Sequence, residues 1–427
     1  MPSPAAFTVS RFRVVRADEL SPAAARARAE RSMRRVLAAL VVSVAALTIA
    51  GLVMVLSASS ITAFAQYGSS FAFFKRQALY AFVGGTAAVV AARLRYQLWQ
   101  RLWRPVLGFT GILLVLVLHP SFGTVSGGAS RWIAIGSFSM QPSEFAKFGV
   151  VTAAAAILAR NVKHLDEPGR WAVPLLLLVG VFTALILLQP DLGTTTVLVL
   201  AVFALLFVAG VRLRHLLVWS VLASGAGLAL ILGEGYRRAR LFSFLHPWSD
   251  PRNTGYQIVQ SLIALGSGHL FGVGLGASRQ KWMYMPNAHT DFIFAILGEE
   301  LGLFGELVVL ALFATLVYSG VRIALKAPDA FGRLLAAGIT AWLGAQAVVN
   351  LGAVTGVLPI TGVPLPFVSF GGSSLIVSLG AVGVLFSIGR AGMRATKGPG
   401  NGRSTARVRR VARGDGRSGR TVASGGR

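Results

Sequence analysis

Two ionisable side chains stand three residues apart in an apolar part of the sequence, within the run QPSEFAK at 141–147. Pro142 suits the first turn of a helix, and a spacing of three places Glu144 and Lys147 on one helix face. Charged groups at membrane depth are costly and usually functional. Two interpretations stay open: an internal ion pair in which Lys147 reaches towards the surface, or a polar cavity that faces an anionic substrate.

Two aspartates directly precede long apolar runs. Asp191 follows Gln-Pro, and Asp291 lies in the run HTDF at 289–292. Capping of the following helix is the simpler interpretation of both, because acids are favoured at helix N-termini. Asp291 also ends a long polar segment that contains Lys281 and His289, and two glutamates follow it at 299–300. A carboxylate that stays ionised there suits a general base.

The elements that must position these residues are apolar runs of membrane-spanning type. We identify ten, at 36–58, 77–92, 105–119, 142–159, 171–189, 193–210, 215–232, 291–320, 334–352 and 370–389. The chain is 54% hydrophobic and 13% charged, whereas soluble domains carry roughly 25% charged residues. This composition excludes an ordinary soluble domain and a disordered chain. The predicted fold class is all-α, a polytopic integral membrane protein with about ten transmembrane helices.

Basic residues are divided unevenly between the two sides of such a bundle. With the N-terminus inside, 31 of the 41 Lys and Arg are cytoplasmic, and that side carries +24 of the formal charge of +26. The excess of Lys and Arg on cytoplasmic segments predicts that both termini are cytoplasmic. A large positive charge often indicates nucleic acid, but here it is an orientation signal. We therefore expect no nucleic acid partner.

Three regions follow from this pattern. Residues 1–35 are predicted to form a basic cytoplasmic tail, 36–392 the transmembrane domain, and 393–427 a basic, disordered cytoplasmic tail. Within the domain, 233–290 is the long extracytoplasmic loop, in which 258–265 is apolar enough for a short interfacial helix. A loop of that length on a helical scaffold is usually functional.

Several other chemistries are excluded or reduced by the sequence. There is no cysteine, hence no disulfide and no Cys-based metal site, and the histidines show no HExxH spacing. The glycines of 266–276 lack the order of a phosphate-binding loop and indicate flexible loop geometry. Gly298 and Gly302 have the spacing of helix packing. The prolines and glycines of 359–372 predict a re-entrant, cavity-lining turn before the last helix.

Six stretches in chain order together resemble the SEDS family of peptidoglycan glycosyltransferases. They are GGASRWI at 127–133, QPSEFAK at 141–147, QPDLGT at 189–194, FLHPWSDPRNTGYQIVQ at 244–260, AHTDFIFAILGEELGLFG at 288–305 and LPITGVPLPFVSFGGSS at 358–374. The resemblance extends over 36–392. The motifs HPWSDP and NAHTD favour the division branch of the family over its elongation branch, and a sporulation paralogue would look almost the same.

The resemblance implies polymerisation of lipid II, the undecaprenyl-diphosphate-linked disaccharide-pentapeptide, outside the membrane. Asp291 matches the family's essential aspartate and would act as the catalytic base. Arg131, Lys147 and Lys281 are the expected cations for the diphosphate, with His289 as a further substrate-binding candidate. Glu144 and Asp191 would orient these cations or help to hold a divalent ion. Such an ion, Mg²⁺ or Mn²⁺, is a candidate cofactor, with Asp291 and Glu144 as candidate ligands.

The resemblance also implies partners and a location. A class B penicillin-binding protein is expected as the transpeptidase partner, together with other membrane proteins of the division complex. The chain is expected in the bacterial cytoplasmic membrane at the division septum. Three alternatives stay open: a lipid II flippase, an elongation-type polymerase and a non-catalytic scaffold. Broken helices and buried charges also suit transport, but the candidate site residues all fall on the outer side.

Overall fold

The computed structural model describes residues 22–126, 129–135, 138–282 and 284–396. Within them, ten helices have the length of membrane spans: α1 (Pro22–Tyr67), α2 (Ala72–Arg93), α3 (Gln97–Leu116), α4 (Pro142–Arg160), α5 (Pro168–Leu187), α6 (Leu192–Ala209), α7 (Leu213–Gly233), α10 (Ile293–Leu325), α11 (Ala330–Val354) and α12 (Gly372–Thr396). Two shorter helices, α8 (Gly235–Leu245) and α9 (Tyr256–Ser267), lie between α7 and α10. The all-α polytopic fold is confirmed.

Eight of the ten long helices are apolar enough to cross a membrane by length and composition within the described ranges; α2 and α3 are not among them. Both carry arginines, which lower their hydropathy although their lengths suffice. The predicted runs coincide with the ten helices, with ends that differ by several residues. The largest difference is α1, which begins at Pro22, so residues 22–35 are helix rather than tail. Residues 1–21 and 397–427 of the predicted tails lie outside the described residues.

Contacts between chain-distant elements define two ends of the bundle. At one end the α2 residue Phe73 packs its ring 4.7 Å from that of His289, just before α10. At the other end the Tyr96 hydroxyl, between α2 and α3, donates to the Asp329 carboxylate before α11 at 2.5 Å. Since α2 runs from the first end to the second over 22 residues, the ends lie about 30 Å apart at 1.5 Å per residue.

A small sheet covers the first end, which the sequence had not indicated. Strands β1 (Gly123–Ser126), β2 (Ala129–Ile135) and β3 (Phe138–Met140) pair antiparallel in the order β1-β2-β3. The Ser130 hydroxyl donates to the backbone carbonyl of Val117 at 2.9 Å, which fixes the sheet to the end of α3. The segment between α3 and α4 is too polar and too short to cross the membrane again, and it forms short strands instead.

The predicted re-entrant turn exists as a buried, non-helical segment between α11 and α12. Its residues Val363, Leu365, Phe367 and Val368 are buried. Polar side chains of neighbouring helices satisfy its backbone: the Gln346 amide donates to Pro364 O, and the Gln77 amide donates to Ser369 O. Irregular backbone at membrane depth is tolerated only where protein surrounds it in this way.

The glycine-rich loop after α9 joins a break in α10. At Gly302 the helix has φ 66° and ψ −169°, so its ladder is interrupted. Loop residues replace the missing partners: Val273 and Gly274 donate to the carbonyls of Glu299 and Glu300 at 2.9 and 3.1 Å, while Leu303 and Phe304 donate to the loop carbonyls of residues 269 and 270. For Gly268, Gly272 and Gly302 the flexible-loop and helix-packing interpretations are therefore corrected, because a Cβ at any of them would collide with backbone across the break.

Candidate active site

Asp291 lies at the first end of the bundle, between the long loop and α10. It does not cap α10, because the N-cap is Phe292, which has no side-chain capping bond. The Asn350 side chain of α11 instead holds its backbone, since Nδ2 donates to Asp291 O at 2.7 Å and to Val363 O at 2.8 Å. One amide thus joins the start of α10 to the re-entrant segment.

The carboxylate of Asp291 lies beside Gly362 of the re-entrant segment. Gly362 has φ +73°, and a Cβ there would stand 3.5 Å from Asp291 Oδ2. The positive φ of Gly362 favours glycine at this turn of the re-entrant segment. Asp291 is only partly buried, which leaves an approach for a substrate.

Burial raises the pKa of Asp291 to about 6, against the opposing effects of the Thr290 hydroxyl and of the Arg240 and Arg131 charges. The nearby Asp191 carboxylate raises this pKa further. A carboxyl group with such a pKa is largely ionised at pH 7 and yet accepts a proton more readily than an ordinary aspartate. That combination is what general-base catalysis near neutral pH requires.

Arg131 and Asp191 are joined through the turn between α5 and α6. The Arg131 guanidinium donates from Nε to Gln189 O at 2.8 Å and from a terminal nitrogen to Pro190 O at 2.5 Å. Asp191 caps α6, because its Oδ1 accepts from the Thr194 amide at 3.0 Å. The capping interpretation of Asp191 is thus confirmed. The sheet and this turn bring one cation and one anion beside Asp291.

His289 packs against two phenylalanines, Phe73 of α2 and Phe370 of the re-entrant segment. Its backbone carbonyl accepts from the Phe370 amide at 2.9 Å. Burial lowers the pKa of His289 to about 4, so the imidazole is neutral at pH 7. In this structure it fixes the backbone two residues before Asp291 rather than supplying a positive charge.

Glu144 and Lys147 form the predicted pair, with Nζ 2.9 Å from Oε1, and both are almost fully buried at 1% and 0% exposure. Lys147 does not reach to the surface: its Nζ also donates to Gln346 Oε1 at 2.7 Å and lies 5.4 Å from the centre of the Trp342 ring. Gln346 in turn holds Pro364. The pair therefore supports the re-entrant segment from within the bundle.

Lys281 is tied to the loop that enters the α10 break. Its Nζ donates to Gly276 O at 2.5 Å and lies 3.7 Å from Glu300 Oε1. The Ser57 hydroxyl of α1 contacts the same carboxylate, 2.6 Å from its Oε1. Glu300 thus has a basic partner, which comes from the loop rather than from a neighbouring helix.

The structure brings four of the seven candidate residues to one place, namely Asp291, Arg131, Asp191 and His289. Glu144, Lys147 and Lys281 occupy supporting networks, and a direct role for them with substrate stays a prediction. Sequence reasoning missed Arg240, whose charge acts on Asp291 from helix α8. This helix lies within the predicted loop, and its apolar residues at 241, 242, 244 and 245 were the available signal.

The residues present do not form a resident metal site. Over the described ranges, no group of three or more His, Asp or Glu side chains is arranged to hold an ion. Glu144, one of the two expected ligands, pairs with Lys147 instead. Asp191 already accepts hydrogen bonds at both carboxylate oxygens. We therefore derive no step through a divalent cation.

A bundle of ten long, mostly apolar helices with a polar site at one end defines a polytopic membrane protein. The family model described as "Cell cycle protein", which covers FtsW, RodA and SpoVE, matches residues 38–393. The chain therefore belongs to the FtsW, RodA and SpoVE family.

Two relatives illustrate the similarity. "Probable peptidoglycan glycosyltransferase FtsW" of Geobacter metallireducens is 45% identical over 80% of this chain and 92% of its own length. "Stage V sporulation protein E" of Bacillus subtilis is 44% identical over 80% of this chain and 93% of its own. Both the division and the sporulation branches are thus close to this sequence.

Solved structures share the fold as well. The chain of a complex described as "Structural coordination of polymerization and crosslinking by a peptidoglycan synthase complex" matches with a TM-score of 0.69 at 32% identity, over 83% of this chain and 97% of that one. The crystal structure of the rod shape determining protein RodA of Thermus thermophilus matches with a TM-score of 0.61 at 31% identity, over 82% and 95% respectively.

Proposed function

We propose that this protein polymerises lipid II into peptidoglycan glycan strands at the outer face of the cytoplasmic membrane during cell division. The chain is a peptidoglycan glycosyltransferase, as its family membership and its relatives of that name indicate. The observation that carries the proposed chemistry is the position of Asp291, a partly buried carboxylate between a re-entrant segment and the charges of Arg131 and Arg240.

Asp291 is the general base in this proposal. Its carboxylate accepts the proton of the acceptor sugar hydroxyl, whose oxygen attacks the anomeric carbon of the donor sugar. The bond from that carbon to the diphosphate oxygen breaks, and the bonding electrons leave with the lipid diphosphate. A single displacement inverts the configuration at the anomeric carbon, as in inverting glycosidases. Activation of the hydroxyl by a positioned base contributes about 10²–10⁴-fold.

Arg131 and Arg240 are suited to the leaving group. Guanidinium groups bind phosphate oxygens with paired hydrogen bonds, and preorganised cations stabilise charge that develops in the transition state. Arg131 is itself positioned by two backbone carbonyls at 189 and 190. These bonds leave guanidinium donors for a ligand, because arginine has five N–H groups.

The location and the partner follow from charge and family. The end of the bundle that carries Asp291 is proposed to face outwards, because most Lys and Arg belong to segments of the other end. The septum is proposed as the site of action, on the division-type wording of the sequence. A class B penicillin-binding protein is the proposed partner, supported by the similarity to a subunit of a peptidoglycan synthase complex.

Reconstitution of the full chain with its transpeptidase partner and lipid II tests the function. The wild type is expected to produce glycan strands, and Asp291→Asn is expected to reduce the rate by at least about 100-fold because the base is lost. The matched control is Asp166→Asn, an exposed carboxylate at the opposite end, which should polymerise normally. Unchanged polymerisation by Asp291→Asn would remove the base, and lipid flipping without polymer would favour the transporter.

A further inference from the structure

A cavity of about 960 Å³ opens at the end of the bundle opposite Asp291. Five arginines line it: Arg93, Arg95, Arg101, Arg390 and Arg394. They come from the end of α2, its connection to α3, the start of α3 and the last turns of α12. No aspartate or glutamate is among the described lining residues. Like charges that line one concave space attract and concentrate anions.

The wall of this cavity is fixed by hydrogen bonds. The Ser387 hydroxyl of α12 donates to Leu94 O at 2.6 Å, which joins α12 to the connection between α2 and α3. Asp329 follows the lining residue Pro328, but its oxygens accept from the Tyr96 hydroxyl at 2.5 Å and the Gly332 amide at 2.7 Å. Asp329 therefore stabilises the wall of the cavity and does not pair with its arginines.

The preference for Lys and Arg in cytoplasmic segments explains why arginines occur at this end. It does not explain why five of them line one cavity that has no carboxylate among its lining residues. Some arginines at the same end do have carboxylate partners: Arg170 lies 2.6 Å from Glu167, and Arg212 lies 2.8 Å from Asp166. Among the described residues, none of the five cavity arginines has a carboxylate within 4.0 Å. The local charge is thus left for a ligand.

An apolar groove of about 570 Å³ adjoins the arginine cavity, and the two share Arg93 and Arg390. The groove runs between α1, α2 and α12, and its other lining residues are apolar apart from Thr48. Small residues make it: a Cβ at Gly85 would meet nothing within 4 Å. An apolar groove offers no favourable contacts to a free phosphate, whereas it suits an acyl chain in polarity.

We propose that this cavity and groove together form a binding site for an anionic phospholipid. The phosphate of the headgroup lies among the five arginines, which offer the paired donors that phosphate oxygens accept. One acyl chain follows the groove from Arg93 and Arg390 into the bundle. Basic pockets between transmembrane helices bind anionic headgroups elsewhere by the same combination. The site is independent of the catalytic end and of the proposed reaction.

Lipid titration of the purified full chain, followed by native mass spectrometry, tests this site. Dioleoyl phosphatidylglycerol is expected to bind, and dioleoyl phosphatidylcholine and inorganic phosphate to bind far more weakly. The double variant Arg93→Gln/Arg390→Gln should weaken phosphatidylglycerol binding about 30-fold, on roughly tenfold per 1.4 kcal/mol and about 1 kcal/mol per arginine. Gly85→Phe should also weaken it, because the ring occupies the groove.

The matched control is Arg212→Gln/Arg214→Gln, which removes the same charge outside the cavity and should bind the lipid like the wild type. All variants are first compared by melting temperature, so that loss of fold is recognised. Equal loss in the control would overturn the proposal, since binding would then reflect net charge alone. Equal binding of phosphatidylcholine would overturn it too. Tight binding of inorganic phosphate, unaffected by Gly85→Phe, would replace the lipid by a free anion.

Discussion

Asp291 experiences opposing influences on its pKa, and the structure shows which of them prevails. Burial and Asp191 raise the pKa, whereas Thr290, Arg240 and Arg131 lower it, and the result is about 6. The arginines favour the ionised form of this partly buried carboxylate, in addition to the proposed contact with the diphosphate. A base without them would be protonated over more of the physiological range.

The acid limb of the pH profile is a direct expectation. Only the ionised carboxylate accepts a proton, so kcat/KM for polymerisation should rise with pH and level off above a pKa of about 6. Replacement of Arg240 by Gln should move this limb to higher pH, because a charge that favours the carboxylate is removed. Initial rates between pH 5 and 8 measure both. A limb that stays in place in Arg240→Gln contradicts the electrostatic role.

We expect the ion pair of Glu144 and Lys147 to contribute to the stability of the fold. Lys147→Met leaves Glu144 as a buried charge without a partner, and the free energy of unfolding should fall by about 3–5 kcal/mol. The double variant Glu144→Gln/Lys147→Met should recover much of this loss, because no charge is left buried. Melting curves of the purified variants give the comparison. A single variant as stable as the wild type would show that the pair has no structural role.

At this scale the sequence predicts identities better than contacts. The resemblance to the SEDS family pointed to Asp291 as the base, whereas spacing alone favoured a helix cap, which the structure does not show. The pair at 144 and 147 was visible from helical periodicity. Arg240 was not, because its approach to Asp291 depends on how α8 lies over the bundle. The partners Asn350 and Gly362 were equally hidden, since they act through backbone positions that local spacing does not encode.

Among the elements, α10 carries the largest departure from a regular helix. Its break at Gly302 exchanges two carbonyls and two amides with the loop that follows α9. These four hydrogen bonds replace helical bonds that the break interrupts, and such replacement is what allows irregular backbone inside a bundle. The same exchange holds Ser278 and Lys281 against Glu299 and Glu300.

Gly302→Ala should lower the melting temperature and the free energy of unfolding by about 1–3 kcal/mol. At φ +66° its Cβ would stand 2.4 Å from the Gly272 amide nitrogen, and backbone there has little room to move. The matched control is Gly266→Ala in α9, whose Cβ meets nothing within 4 Å. That variant should be neutral or slightly more stable, because alanine favours helix. Equal effects of the two variants on stability would contradict the importance of the close contact between Gly302 and the loop.

The spans themselves were largely predictable, because a long apolar run in a membrane has little choice but helix. The helix at 258–265 was anticipated as well and is α9, which the Ser261 hydroxyl anchors to Val354 O at 2.7 Å. The small sheet, α8 and the break at Gly302 were not. Each depends on contacts with distant parts of the chain rather than on its own periodicity.

Considered as a whole, the molecule has a different polar site at each of its two ends. Asp291 and its charged neighbours occupy one end, and the arginine cavity occupies the other. The N-terminus of α1 and the C-terminus of α12 both lie at the arginine end of the bundle. For α1 this is shown by Ser32, whose hydroxyl lies 3.3 Å from the Lys326 ammonium at the end of α10. The charge-based orientation assigns this end to the cytoplasm.

Labelling of introduced cysteines tests the orientation without background, because the chain has no cysteine of its own. Thr124 in β1 and Asp166 between α4 and α5 are exposed at opposite ends. A membrane-impermeant maleimide applied to intact cells should label Thr124→Cys and reach Asp166→Cys only after permeabilisation. The reverse pattern would place Asp291 inside and remove lipid II polymerisation outside the membrane.

The hydrogen bonds between the loop after α9 and the break in α10 also affect the local opening of both segments. Amides at 273, 274, 303 and 304 are bonded across the break, so they belong to one hydrogen-bonded junction between the loop and α10. Hydrogen–deuterium exchange should therefore find them as one cooperative unit with a shared protection factor, although half of them belong to a loop. An event that detaches this loop therefore also leaves the Leu303 and Phe304 amides of α10 without their loop partners.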